Sequence, residues 1–392
     1  MFSEVVLSGS VRTAIGGFGG ALSEVGAVTL GSVAVTAALR RAGVPGDQVD
    51  EVIFGNVLSA GLGQNVARQV CIGAGLPTAV GATTVNKVCG SGLKAVMLAA
   101  QAIQCGDAQI VVAGGTENMS QAPYLLPKAR NGYRMGHGEV VDSMLRDGLW
   151  DVYNDLHMGL CGDRCAARYQ FTRQDQDDFA VASYQRALEA QRQGRFSHEI
   201  APVEIAGRKG TVTVDQDEEP ARFREDKLRD LKPAFGKEGT VTAGNASSIS
   251  DGAAAVVVMS GDKARQLGVR GQARIVGYAG YSREPEWFTI APVGAIQKLF
   301  SGVGWDVSSV DLFEINEAFS VVPMVVMRDL NVPHDRLNVH GGAVALGHPI
   351  GASGARVLVT LLHALRQRDA QRGVVSLCIG GGEGVAMAVE RC

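Results

Sequence analysis

Three residues of this chain have the type and the neighbours to run covalent chemistry on a carbonyl: Cys89, His348 and Cys378. Cys89 ends an apolar lead-in and is followed by a tight Gly90-Ser91-Gly92 turn and a helix-forming run to Ile103. A thiol at the first turn of a helix sits where unpaired N–H groups and the positive end of the dipole favour an anion. The expectation is therefore a lowered pKa and a better nucleophile. His348, in Gly347-His348-Pro349-Ile350-Gly351, also precedes a Ser-Gly turn, Ser353-Gly354. An imidazole can take the S–H proton, freeing the sulfur to attack. Cys378 precedes the glycine run Gly380-Gly381-Gly382. A second thiol there can serve as acid or base, while glycine N–H groups reach a developing oxyanion. His137, His198, His334 and His363 read as structural or exposed; His340 shares the glycine-rich segment of His348 but precedes no matching turn.

Alternating strand and helix patterns must position these groups. Residues 4–7, 51–57 and 109–113 read as strands, with helices over 28–41 and 66–72 between them. The run after Cys89 is apolar nearly all round, as a helix buried on every side must be. Residues 119–241 are richer in charge and turns, with one long helix announced by the capping pair Thr172 and Asp175. Alternation resumes near Ala273, with strands over 274–281 and 311–316 and helices over 293–300 and 318–330. The second half repeats the first. The stretch from Val49 to Asn56 resembles that from Val310 to Asn316. Cys89 follows Asn56 by thirty-three residues and His348 follows Asn316 by thirty-two. Each leads through a Ser-Gly turn into an almost wholly apolar helix and then a strand ending in glycines. Two such halves packed together bury both helices between two sheets and bring equivalent loops to one site.

The bulk properties narrow the function classes. A chain of 392 residues is too long for one ordinary core. A net charge of −3, with both signs interspersed, offers no footprint for nucleic acid and no basic patch for a membrane surface. The seven cysteines are irregularly spaced and suggest no disulfide framework, so a reducing, cytoplasmic location is expected. No signal peptide precedes the first strand pattern, and no apolar run approaches a membrane span. His157, Cys161 and Cys165 recur every four residues, but on a helix the outer two stand about 12 Å apart along the axis. One metal ion with bonds of about 2.0–2.3 Å cannot reach both, and no metal site is expected.

Four segments together carry a resemblance. Val85-Asn86-Lys87-Val88-Cys89-Gly90-Ser91-Gly92, Asn316-Glu317-Ala318-Phe319, Gly347-His348-Pro349-Ile350-Gly351 and Cys378-Ile379-Gly380-Gly381-Gly382 resemble the signature segments of thiolases of the acetyl-CoA acetyltransferase type. The likeness runs from end to end and includes Val11–Gly16, Gly114–Ser120 and Gly239–Ser247. It implies an α/β thiolase fold, two similar halves in a layered α-β-α-β-α arrangement. The expected division is 1–118 with 242–270, an inserted CoA-binding loop subdomain over 119–241, and 271–392. It also implies a two-step acyl transfer. Cys89, activated by His348, accepts an acyl group from acyl-CoA; Cys378 deprotonates acetyl-CoA, and the carbanion attacks the thioester. His348 with a water held by Asn316 forms one oxyanion site, and the N–H groups of Cys89 and Gly380 form another. By the same resemblance, His157 and Met158 lie near the pantetheine, Ser247 hydrogen-bonds it, and Ala318 and Phe319 line its apolar wall. CoA is substrate and product, no further cofactor is implied, and a homotetramer built as a dimer of dimers is expected.

Two places depart from the usual pattern. Residues 286–292 place Trp287 and Phe288 where smaller residues are usual, which reshapes the acyl end of the pocket. Residues 218–222, followed by Lys227, replace the usual basic and serine positions near the nucleotide and leave the contacts to the CoA phosphates unassigned. The alternative enzyme is a broader-range 3-ketoacyl-CoA thiolase. A non-catalytic acyl-CoA-binding relative should lack one or more of the four polar groups, all present here. A carrier-protein ketoacyl synthase should show Cys-His-His, and a cysteine protease leaves Cys378 and Asn316 without roles.

Overall fold

The computed structural model describes residues 4–207 and 210–392. The chain runs β1 (Val5–Thr13), α1 (Ala27–Ala42), β2 (Glu51–Gly55), α2 (Val66–Gly73), β3 (Gly81–Val85), α3 (Ser91–Cys105) and β4 (Ile110–Asn118). A long excursion carries α4 (Met158–Tyr169) and α5 (Arg173–Arg192) before β5 (Ser250–Ser260). Then follow β6 (Ala273–Ser282), α6 (Ala291–Val303), β7 (Leu312–Ile315), α7 (Val321–Leu330), α8 (Ile350–Gln367), β8 (Arg372–Ile379) and β9 (Glu383–Arg391). Local chemistry sets the ends. Helix α5 opens on the capping box its sequence announces, Thr172 N donating to Asp175 Oδ2 at 2.8 Å and Asp175 N to Thr172 Oγ1 at 3.1 Å.

The main sheet has the order β7-β8-β9-β6-β1-β5-β4-β2-β3. Both halves follow one plan. Parallel β2–β4 and antiparallel β4–β5–β1 in the first are matched by parallel β7–β8 and antiparallel β8–β9–β6 in the second. The halves meet where β1 and β6 pair antiparallel, Val6 opposite Arg274 and Leu7 opposite Ala273. The counterpart of the β2–β3 pairing shrinks to a single bridge, Phe313 to Leu337. The repeat reaches single atoms: Asp50 Oδ2 accepts from the N–H of Gln109 and Ile110, and Asp311 Oδ2 from those of Gln371 and Arg372.

Five layers result. Leu30, Val35 and Val70 of α1 and α2 pack with Phe54 on the outside of the first half. Ile296, Leu299 and Val325 of α6 and α7 pack with Phe313 on the outside of the second. Between the halves lie α3 and α8, where Leu93, Val96, Leu358 and Leu361 meet Val111, Val256, Val375 and Leu377. Complete burial of each such side chain contributes about 1.5–3 kcal/mol. Two expectations need correction here. The 18-residue stretch Val88–Cys105 is, among the described residues, long and apolar enough to cross a membrane; its apolar circumference is instead covered by sheet and helix on both sides. Helix α8, read above as almost wholly apolar, carries a buried polar stripe of Ser353, Arg356, Thr360 and His363 at spacings of three and four. Its partners come from elsewhere: Thr360 Oγ1 donates to Glu199 Oε1 at 3.2 Å, and His363 Nε2 lies 3.2 Å from the Ser10 hydroxyl.

The two inner helices touch backbone to backbone at their N-termini. A Cβ on Gly354 would stand 2.2 Å from Leu93 N, and one on Gly92 would stand 2.6 Å from Ala355 N. Only glycine permits this approach, which draws the turn after Cys89 against the turn after His348.

Candidate active site

Cys89 sits on a turn closed by Gly90 N to Lys87 O (3.0 Å) and Ser91 N to Val88 O (3.1 Å). Ser91 Oγ braces it, accepting from Lys87 N at 2.8 Å and donating to Val88 O at 2.6 Å. The turn forces Val88 to φ 45°, a left-handed conformation that a β-branched residue rarely adopts and that stores strain beside the Cys89 thiol. From the other half, β8 carries Cys378 next to its last residue, Ile379, and the following Gly380 offers its backbone N–H to the Cys89 sulfur. A Cβ on Gly90 would meet Ile379 Cδ1 at 2.4 Å, so the two loops are in contact.

The expected lowering of the Cys89 pKa is not what the fold produces. Burial pushes the thiol up to about 11, against the pull of the N–H groups of Gly380 and of Cys89 itself. At 6% exposure the thiolate loses more hydration than the helix N-terminus returns. Cys378 is raised well above the ordinary thiol range by burial first and the neighbouring Cys89 second. Both thiols rest neutral, and either anion must be made by proton transfer.

His348 presents a nitrogen, unshared among the described residues, beside the cavity that Cys89 also lines. Its Nδ1 lies 2.5 Å from Ser353 Oγ, and Ser353 Oγ donates to Pro349 O at 2.9 Å. A hydroxyl has one proton; with that proton on Pro349 O, Ser353 accepts from Nδ1–H, which leaves the lone pair on Nε2. Nε2 has no hydrogen-bond partner among the described residues. Burial and, next, the Arg356 cation push the imidazole down to about 3, so it is neutral at pH 7. Asn316 follows β7 and is tied to β8 by its N–H to Ser376 O at 3.0 Å. Its Oδ1 accepts from Arg356 Nη2 at 3.4 Å, and its Nδ2 has no partner among the described residues.

A cavity of about 440 Å³ opens onto Cys89 and His348 and is walled by His157, Met158, Ser247, Phe288, Ala318 and Phe319. Cys378, Asn316 and Gly380 are buried and do not line this cavity; Met158 lies over Gly380, where a Cβ would be 2.1 Å from Met158 Cε. His157 caps α4, its Nδ1 accepting from Gly159 N at 3.0 Å, and stacks on Phe235 with centroids 4.4 Å apart. Its Nε2–H is thereby the donor end. Ser247 Oγ donates to Ala318 O at 3.0 Å and keeps only acceptor capacity for a ligand. Cys161 and Cys165 are fully buried in the apolar core on α4. Arg222 is engaged with Glu218 and with Glu219, the latter on the cavity wall.

Three contributors escape the sequence reading. Ser353 figured only as part of a turn. Arg356 lay in a run taken as apolar. Glu117, quoted within Gly114–Ser120, is a buried carboxylate accepting from the N–H groups of Val57, Leu58 and Gly351, which ties the His348 turn to the first half. Burial holds it at about 7 despite those donors.

A duplicated α/β fold with a reactive loop from each half at one cavity defines the thiolase architecture. Residues 5–262 match the family description "Thiolase, N-terminal domain" and residues 269–391 match "Thiolase, C-terminal domain". The chain belongs to the thiolase family. It is 54% identical over 391 residues to the acetyl-CoA acetyltransferase of Cupriavidus necator, covering 99% of this chain and all of that one. It is 53% identical to acetyl-CoA acetyltransferase 2 of Arabidopsis thaliana, covering 99% of this chain and 97% of the relative. The crystal structure of the Bacillus anthracis acetyl-CoA acetyltransferase superposes with a TM-score of 0.98 at 42% identity, over all of this chain and 99% of that one.

Proposed function

We propose that the protein is an acyl-CoA:acetyl-CoA C-acyltransferase. It condenses two acetyl-CoA molecules to acetoacetyl-CoA and CoA, or runs the reverse thiolysis of a 3-oxoacyl-CoA, through an acyl-Cys89 intermediate. The observation that carries the reading is the contact of the Cys89 turn of one half with the Cys378–Gly380 segment of the other, where a Cβ on Gly90 would stand 2.4 Å from Ile379 Cδ1, beside a cavity that Cys89 and His348 both line.

His348 Nε2 takes the Cys89 proton, and the thiolate attacks the acetyl-CoA carbonyl. The oxyanion is held by the N–H groups of Cys89 and Gly380, donors each worth about 10²–10³ in rate. As CoA leaves, Cys378 gives it a proton and becomes the thiolate. The protonated His348 and the Cys378 anion then offset each other, which two isolated buried ions could not do. Cys378 next removes a methyl proton from a second acetyl-CoA. The enolate oxygen is held by His348 Nε2–H and a water on Asn316. Attack of the enolate carbon on acyl-Cys89 forms the new C–C bond and expels the Cys89 thiolate, which recovers its proton from His348. Every group ends as it began.

CoA enters along the wall of His157, Met158, Ser247, Ala318 and Phe319, His157 Nε2–H donating and Ser247 Oγ accepting. Phe288, buried against Phe319 with centroids 6.4 Å apart, limits the acyl end. No cofactor besides CoA enters the scheme. The exposed edge strand β3 and the exposed Tyr124, Leu126, Met135 and Val140 support assembly as a homotetramer, a dimer of dimers. The seven unpaired cysteines support a reducing, cytoplasmic location. The test is a thiolysis series over acetoacetyl-CoA, longer 3-oxoacyl-CoAs and a 2-methyl analogue. Acetoacetyl-CoA should give the highest kcat/KM; equal turnover of long chains would favour the broader-range enzyme, and no thiolysis would overturn the assignment.

A further inference from the structure

Helix α8 buries a cation for which the reaction scheme has no use. Arg356 is 1% exposed, its Nη1 donates to Glu314 Oε1 at 3.1 Å, and its Nη2 donates to Asn316 Oδ1 at 3.4 Å. Burying a guanidinium is costly before any partner is counted, and an apolar side chain of similar volume would fill the space as well. The value of the cation lies in what it does to the amide. A guanidinium has donors only, so it can hold only the oxygen end of Asn316. The amide –NH₂ is then turned away from Arg356, and it is this Nδ2 that, like His348 Nε2, lacks a partner among the described residues.

The internal repeat supplies a control. Asn56, the counterpart in the first half, donates Nδ2 to Thr116 O at 3.1 Å and Glu117 Oε1 at 2.8 Å, while its Oδ1 accepts from Ser59 Oγ at 2.6 Å. That amide is used up in holding its own loop. The residue on α3 in register with Arg356, three after the Ser of the Ser-Gly turn, is the partly exposed Lys94, with Ser91 matching Ser353. One copy of the repeat carries a closed asparagine. The other carries an asparagine with a free donor and a buried arginine on its oxygen.

We infer that Arg356 is a positioning residue for the enolate oxyanion site, fixing the Asn316 amide so that Nδ2 is presented to the reacting oxygen through its bound water, with Glu314 anchoring the guanidinium. The inference rests on the oxyanion role of Asn316 set out under Proposed function. A lysine could satisfy Glu314 and keep a cation near His348, but its three N–H groups share one nitrogen and do not reproduce the fork that reaches Glu314 through Nη1 and Asn316 through Nη2.

The experiment separates the two half-reactions. Exchange of labelled CoA into acetyl-CoA reports acylation of Cys89 alone, and acetoacetyl-CoA formation reports the enolate step. Two variants are read, Arg356→Lys and the charge-free Glu314→Gln with Arg356→Met, each checked by thermal melting. In whichever folds, the condensation kcat should fall at least about tenfold, toward the 10²–10³ that loss of an oxyanion donor costs. Exchange should stay near the wild-type rate. On Asn316→Ala, itself slow in condensation, Arg356→Lys should add no further loss. Wild-type condensation in a folded variant, an equal fall in exchange, or a full additional loss on Asn316→Ala overturns the inference. Intact condensation in Asn316→Ala alone would instead overturn the oxyanion role on which it rests.

Discussion

At the scale of single residues, the chemistry depends on Ser353. Its hydroxyl, committed to Pro349 O, keeps the His348 proton on Nδ1 and the lone pair on Nε2. Ser353→Ala should therefore leave the fold intact and lower kcat/KM about 10- to 100-fold, part of the 10²–10⁴ contributed by a general base. Steady-state kinetics beside a melting curve will show it. The Cys89 thiol, held at about 11, predicts the pH course of alkylation in the free enzyme. Iodoacetamide labelling of Cys89 should climb roughly tenfold per pH unit from 7 to 9, as the thiolate fraction does. A plateau already reached at pH 7 would mean a standing thiolate–imidazolium pair. The sequence set Cys89 at a helix N-terminus, where the structure has it, but implied the wrong acidity. A helix N-terminus is visible in a Gly-Ser-Gly turn, whereas the desolvation that outweighs it comes from residues such as Met119, Met144 and Ile350, far away in the chain.

At the scale of elements, the contact of α3 with α8 decides where Cys89 and His348 stand. Gly354→Ala puts a methyl 2.2 Å from Leu93 N, against backbone that cannot swing aside. It should cost about 1–3 kcal/mol by overpacking and lower activity well beyond the loss in folded fraction. Urea unfolding alongside kcat will separate the two. This contact was legible in outline, because both Ser-Gly turns fall at matching distances after Asn56 and Asn316. The Thr172 capping box was legible in full, since its two partners lie three residues apart. The polar stripe on α8 was not. Ser353, Arg356, Thr360 and His363 look like isolated exceptions in an apolar run until the fold brings up Glu314, Glu199 and Ser10 as partners.

At the scale of the whole molecule, two copies of one plan have diverged until each supplies what the other lacks. Burial of neutral His348 links this site to stability. Below pH 6.5 the unfolded chain takes up a proton that the folded imidazole, held at about 3, refuses. The unfolded state then binds more protons, so stability falls as pH drops from 6.5 toward 3, by up to about 1.4 kcal/mol per unit for this group. The loss of unfolding free energy between pH 7 and pH 5 should be smaller in His348→Asn than in the wild type. An equal loss would show that the buried imidazole is not its source. The division of labour between the two sulfurs is tested most directly by Cys378→Ser treated with labelled acetyl-CoA, with peptide mass spectrometry and product analysis on one sample. The peptide containing Cys89 should carry one acetyl group while no acetoacetyl-CoA forms. Condensation at the wild-type rate, or an acetyl group on any residue other than Cys89, would contradict the account.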